Sequence, residues 1–117
     1  MRVLLVVNDA PYGSERAYNA LRLAMTLQRE QEGVDVRIFL LGDGVSCALP
    51  NQITPQGYYN LERMLRAVIA RGADVKACGS CLEARGLKQL SLSQGVTAST
   101  MSQLACWVTE SDRVITF

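Results

Sequence analysis

The sequence predicts an α/β domain: a mostly parallel sheet with helices on both faces. Three observations carry this. Apolar, β-branched runs alternate with longer stretches of helical apolar spacing, in the order strand, helix, strand, helix, strand, helix, strand. The runs at 2–8 and 34–41 are nearly continuous in apolar residues, as strands covered on both faces must be. A chain of 117 residues, 49% of them hydrophobic, suits one domain spanning residues 1–117 with an ordinary core.

Arg2 to Asn8 reads as a central first strand, bounded by Asp9-Ala10-Pro11. Tyr12-Gly13-Ser14 is a loop, with Ser14 as helix N-cap and Glu15 in the first turn. The helix that follows places Ala17, Ala20, Leu21, Ala24 and Leu27 on one face and runs out between Glu30 and Gly33. Val34 to Leu41 is a second strand, apolar except for Asp35 and Arg37, and Gly42-Asp43-Gly44 closes it. Val45 to Leu49 forms a short helical turn stopped by Pro50, and Asn51 to Gly57 is a polar loop. Composition predicts mobility over 44–57, and its position suits a lid or a subunit contact. A second long helix covers Tyr58 to Ala70, with Leu61, Met64, Leu65 and Val68 inward and Gly72 just past its end. Asp74 to Ala77 is a third strand. The stretch Leu90 to Thr97 holds a short fourth strand around Val96, placed at a sheet edge. Ser99 to Thr109 is a third long helix with Met101, Leu104, Ala105 and Val108 inward, and Asp112 to Phe117 is the last strand. The crossovers are expected to be right-handed.

Charge narrows the function. Twelve basic and eleven acidic residues are interspersed, leaving a net charge of +1, so a nucleic-acid partner is not expected. No apolar run approaches the ~18 residues of a membrane span, so a membrane partner is not expected either. The apolar stretch Val3 to Val7 is short and ends in Asn8-Asp9, which fits a buried strand better than a signal peptide. Without a secretion signal, Cys47, Cys78, Cys81 and Cys106 are expected to be free thiols in a reducing cytoplasm.

In an open parallel sheet, ligands gather beyond the carboxyl ends of the strands. Three loops meet that condition: Asn8 to Ser14, Gly42 to Cys47, and Cys78 to Cys81. Cys78 directly follows its strand, in front of a helix start whose unpaired N–H groups favour a thiolate, and is expected to be exposed. It is the best nucleophile in the chain. Cys81, three residues on, suits a resolving partner, a sulfur-binding group or simple packing. Against both stands the reading that free cysteines are small buried hydrophobes. Arg85 either stabilises the thiolate or is a solvated charge at a helix end before Gly86. Cys106, beside Trp107 in an amphipathic helix, suits core packing or an interface.

Several chemistries are disfavoured. With no histidine in the chain, a Ser-His-Asp hydrolase is excluded. Thioredoxin-type exchange needs a later cis-proline facing the cysteines, and Pro11, Pro50 and Pro55 all precede Cys78. A single C-x-x-C supplies two of the four ligands of a usual structural zinc site, so no metal is expected. The segment 9–14 contains one glycine and makes no phosphate cradle, so no cofactor is expected. Three readings remain: covalent sulfur chemistry on Cys78, a non-catalytic pocket for a small ligand around Asn8, Tyr12, Gly13 and Cys78, and a redox- or metal-sensing oligomer using Cys78 and Cys81.

The opening strand with 8-NDAPYGSE-15, Leu21-Arg22-Leu23-Ala24, Arg37-Ile38-Phe39-Leu40, Gly57-Tyr58 with Met64-Leu65, Cys78-x-x-Cys81 with Arg85-Gly86, and the ending Trp107 to Phe117 follow one another in a specific order. Together they resemble the DsrE/DsrF-like sulfur-relay family, and within it the small YchN-like branch. The resemblance implies a three-layer α/β/α domain with a five-stranded parallel sheet. It also implies a homo-oligomer, trimer or hexamer, and a carrier role. In such carriers one cysteine, set after a strand and before an Arg-Gly pair, holds sulfur as a persulfide and passes it to a partner thiol. That position falls on Cys78, not on Cys47 or Cys106. Cys81 matches the YchN-like branch but not the carrier subunits. The implied partners are a sulfur donor and a sulfur acceptor protein. The implied activity is that of a sulfurtransferase-type carrier acting stoichiometrically.

Overall fold

A computed structural model describes residues 1–117, the whole chain. Five strands form one sheet: β1 (Arg2–Val7), β2 (Asp35–Leu40), β3 (Asp74–Cys78), β4 (Val96–Ser99) and β5 (Arg113–Thr116). Their order is β4-β3-β2-β1-β5 and every pairing is parallel. Four α-helices connect them: α1 (Arg16–Glu30), α2 (Leu61–Ala70), α3 (Gly79–Ala84) and α4 (Met101–Glu110). A 3-10 segment, Gly42–Ala48, follows β2. No helix is long and apolar enough to cross a membrane.

Topology assigns the layers. The chain steps from β1 to β4 in one direction, then returns across the whole sheet to β5. Right-handed crossovers therefore put α1 and α2 on one face and α4 on the other. On the first face Val7 and Leu40 meet Ala17, Leu21, Leu61 and Leu65 in a wholly apolar layer. On the second, Phe39 meets Trp107 edge to face, with ring centroids 6.1 Å apart. Asp35 and Arg37, the polar interruptions of β2, lie on the α4 side. Arg37 donates to Glu110 at 2.6 Å, and Arg2 donates to Asp35 at 2.7 Å. The Arg37 guanidinium and the Lys76 ammonium stand over the Trp107 ring at 5.1 and 5.4 Å from its centroid.

Several expectations shift. Ser14 is not the N-cap of α1. Glu15 takes that position without a side-chain bond, while the Ser14 hydroxyl donates to Asp9 and accepts the Arg16 N–H. Helix α2 starts at Leu61 rather than Tyr58, because the Asn60 side chain caps it by accepting the Arg63 N–H. β3 runs through Cys78 instead of ending at Ala77. The short fourth strand does lie at an edge, as β4.

Helix α4 turns a different face inward. Leu104 and Trp107 are buried, whereas Met101, Ala105 and Val108 face outward. One helix lying over a wide sheet buries only a narrow stripe, and the largest side chain, packed under two cations, sets its rotation. Cys106 is therefore exposed and not part of the core; its thiol donates to Glu110 at 3.1 Å.

The expected lid is packed over much of its length. Gly44, Val45, Cys47 and Ala48 are buried. Gly44 lies so close to the end of β1 that a Cβ there would collide with the Val7 carbonyl. The buried Glu62 carboxylate accepts the backbone N–H groups of Asn51 and Gln52, at 3.2 and 2.9 Å. Only the tip, with Ile53 fully exposed, stands away from the body.

Candidate functional site

Cys78 is both the last residue of β3 and the N-cap of α3. The strand fixes its backbone through its own pairing with Ser99 of β4 and through Ala77, the preceding residue, which pairs with Leu40 of β2. The turn into α3 then bends the next amides back toward its sulfur. The Cys81 N–H donates to Cys78 Sγ at 3.3 Å, and the Ser80 hydroxyl lies 3.3 Å from the same sulfur. Such donors favour a thiolate over a thiol.

The balance at Cys78 is a contest. Burial pushes its pKa up, and hydrogen bonds from the Cys81 side chain, the Ser80 side chain and the two backbone amides pull it down; the donors win. Cys81 goes the other way. Burial and its hydrogen bond to Cys78 push its pKa up against the Gly42 N–H, which donates to Cys81 Sγ at 3.2 Å. The two shifts are opposite in sign, so Cys78 is the more readily ionised thiol of the pair.

Contrary to expectation, Cys78 is not exposed: its relative accessibility is 3%, while Cys81 is half-buried. Strand-end position gives access only where nothing lies over the strand end. Here α3 turns across it, and the 3-10 segment packs against α3. Arg85 fastens that contact. Its guanidinium bonds Asp43 at 2.8–2.9 Å and donates to the Cys81 carbonyl at 3.1 Å. It is therefore neither a free solvated charge nor a direct partner of the Cys78 sulfur.

The remaining sequence candidates serve other ends. Tyr12 donates to Gln52 Oε1 at 2.7 Å and accepts the Leu61 N–H at 3.1 Å, and its ring lies against Tyr58 and Tyr59. Asn8 bonds the Phe117 carbonyl through both its backbone and its side chain. Gly13 supplies a turn at φ +104°. A polar surface cavity of about 380 Å³, lined by residues of the arch from Gln52 to Arg63, includes none of the predicted site residues. Cys47 is buried, which pushes its thiol up to about 12 and leaves it a packing residue.

Sequence reasoning missed Ser80, Gly42 and Asp43 as parts of the site. Ser80 lies inside the Cys-x-x-Cys motif, where a hydroxyl next to a candidate thiolate is a readable signal. Gly42 and Asp43 belong to the second of the three strand-end loops, so the edge rule points to them, but only the folded chain brings Gly42 to Cys81 and Asp43 to Arg85.

The full chain, residues 1–117, matches the DsrE/DsrF-like family. It is 40% identical over 116 residues to Protein YchN of Escherichia coli K12, covering 99% of this chain and 98% of that one. An uncharacterized protein of Methanocaldococcus jannaschii is 45% identical over 117 residues, covering both chains completely. The crystal structure of the Escherichia coli YchN protein superposes with a TM-score of 0.94 at 39% identity, covering 100% of this chain and 99% of that one. A protein of unknown function from Methanobacterium thermoautotrophicum shares the fold, with a TM-score of 0.80 at 18% identity over 99% and 98% of the two chains. The chain belongs to the DsrE/DsrF-like family.

Proposed function

We propose that this member of the DsrE/DsrF-like family is a sulfur carrier, in which the Cys78 thiolate takes a sulfane sulfur and later yields it to a partner thiol. One observation carries the reading: the Cys78 sulfur is the only cysteine sulfur in the chain whose thiol is pulled below its ordinary pKa, by donors aimed at it from Ser80 and Cys81. The thiolate is the attacking form. Acting stoichiometrically, the protein needs a donor and an acceptor in a reducing cytosol.

The test is intact-protein mass spectrometry after exposure to a low-molecular-weight persulfide and desalting into a dilute free thiol. Wild type is expected to retain one cyanide-labile sulfur, mapped to Cys78, and Cys78→Ser to retain none. Wild type that gains no sulfur while its thiols remain open to alkylation overturns the carrier reading. A non-catalytic pocket then becomes the better account.

The carrier is a homo-oligomer in this reading, a trimer or hexamer. Met101, Ala105 and Val108 form an outward stripe at helical spacing on α4, and Val114 of the neighbouring edge strand is also exposed. Val108→Glu is expected to lower the mass measured by light scattering. An unchanged mass would remove this face from the assembly.

A further inference from the structure

We propose that Cys81 is the port through which sulfur enters and leaves, and that Cys78 is the store behind it. The inference rests on the carrier reading above and assigns Cys81 a role as second catalytic thiol.

Access and geometry point the same way. Cys78, the better thiolate, is almost wholly buried, at 3% exposure, so a bulky donor cannot reach it directly. Cys81 is half-buried and lies one helical turn away. The two sulfurs have separate sets of donors. Ser80 and the Cys81 amide serve Cys78, while the Gly42 N–H at 3.2 Å serves Cys81. The Gly42 amide, besides satisfying its own need for an acceptor, is aimed at the second sulfur. It is placed to hold the negative charge that Cys81 carries in passing.

The chemistry closes without an outside oxidant or reductant. In the first step Cys81 passes its proton to the neighbouring Cys78 thiolate as its sulfur attacks the outer sulfur of a donor persulfide R–S–S–H. The donor S–S bond breaks, the leaving R–S⁻ takes a proton from solvent, and Cys78 gives its proton up to solvent. The products are R–SH, Cys81–S–S–H and the restored Cys78 thiolate. In the second step that thiolate attacks the outer sulfur of Cys81–S–S–H. The new bond is Cys78–S–S–H, and Cys81 leaves as a thiolate held by the Gly42 N–H. The persulfide, more acidic than a thiol, then returns a proton to Cys81. The sum is Cys78–S⁻ + R–S–S–H → Cys78–S–S⁻ + R–SH. Delivery to an acceptor thiol is the reverse sequence. Attack at the inner sulfur instead would give a Cys78–Cys81 disulfide and free sulfide, so a working relay keeps the outer sulfur in line with Cys78.

The experiment follows the rate of sulfur loading from a low-molecular-weight persulfide by quenched mass spectrometry with peptide mapping. Wild type, Cys78→Ser, Cys81→Ser and Cys81→Ala are compared, with circular dichroism confirming that each variant is folded. Cys78→Ser is expected to load Cys81 under excess donor and to lose that sulfur on desalting into a free thiol. Both Cys81 variants are expected to load Cys78 about tenfold more slowly than wild type, since exchange rates follow access. Loading of Cys78 at the wild-type rate in a folded Cys81 variant overturns the port while leaving the carrier reading intact. So does a Cys78→Ser protein that never carries sulfur on Cys81 even at alkaline pH, where Cys81 ionises without Cys78 as its base. Wild type that takes up no sulfur sinks both.

Discussion

Two strand ends share one edge of this sheet and meet different fates. At the end of β1, Asn8 and Tyr12 are engaged within the chain, Asn8 through its amide nitrogens and Tyr12 through its hydroxyl, holding the carboxyl terminus, Gln52 and the start of α2. At the end of β3, donors converge on a sulfur that is itself free to react. Both positions satisfy the rule that ligands collect beyond the carboxyl ends of parallel strands. The rule supplies a place. Chemistry requires in addition that a reactive group there is left without a structural duty.

Exchanging the roles of the two ends is the most direct way to break this comparison. Cys78→Ser should abolish retained sulfur and change stability little. Tyr12→Phe should retain sulfur as wild type does, while costing about 1–3 kcal/mol in urea unfolding through the unpaired groups it leaves. If Tyr12→Phe lost sulfur without losing stability, the β1 end would belong to the site after all.

Glu62→Gln comes next. It replaces the carboxylate that holds the Asn51 and Gln52 amides and should cost about 1–2 kcal/mol, read as a lower urea midpoint. Retained sulfur should be unaffected if that network serves only the fold.

Ser80→Ala sharpens the β3 end. Burial raises the Cys78 pKa and the Ser80 hydroxyl helps to lower it, so the variant's alkylation profile should shift to higher pH, with slower alkylation at neutral pH. The sign of the linked stability is fixed. A folded pKa below the unfolded one adds stability that is present above the unfolded value and is lost as pH falls through the folded value. The stability gap between wild type and Ser80→Ala should therefore widen on going from acidic to mildly alkaline pH. A gap constant with pH would mean that the hydroxyl does not act on the thiolate.

The smallest effect is expected for Asp43→Ala. Its pair with Arg85 is largely exposed and should contribute at most about 1 kcal/mol. Alkylation of Cys81 should nevertheless speed up as the 3-10 segment loosens from α3. An unchanged rate would show that the pair does not govern access.

Much of this was legible from residue order. The strand and helix alternation gives the α/β class, and the residue pattern places Cys78 at the end of its strand. The β2 interruptions Asp35 and Arg37 were visible as anomalies but unexplained, because their partners Arg2 and Glu110 lie far away in the chain. The inward face of α4 was misread for a related reason. Met101, Leu104, Ala105 and Val108 satisfy helical periodicity as well as Leu104 and Trp107 do. Periodicity tells that a stripe exists, whereas the packing of Trp107 against Phe39 and under the Arg37 and Lys76 cations decides which stripe is buried.

Local chemistry written along the chain was enough to set the elements and the place of Cys78 at the end of its strand, since each depends on neighbours within a few residues, and the alternation of those elements implied the parallel sheet. Tertiary structure alone decided the burial of Cys78, the aim of the Gly42 amide at Cys81 and the engagement of Tyr12 and Asn8. Each of those depends on which distant backbone groups arrive at the same point, and hydrogen bonds and access are set by distances in space that residue order does not contain.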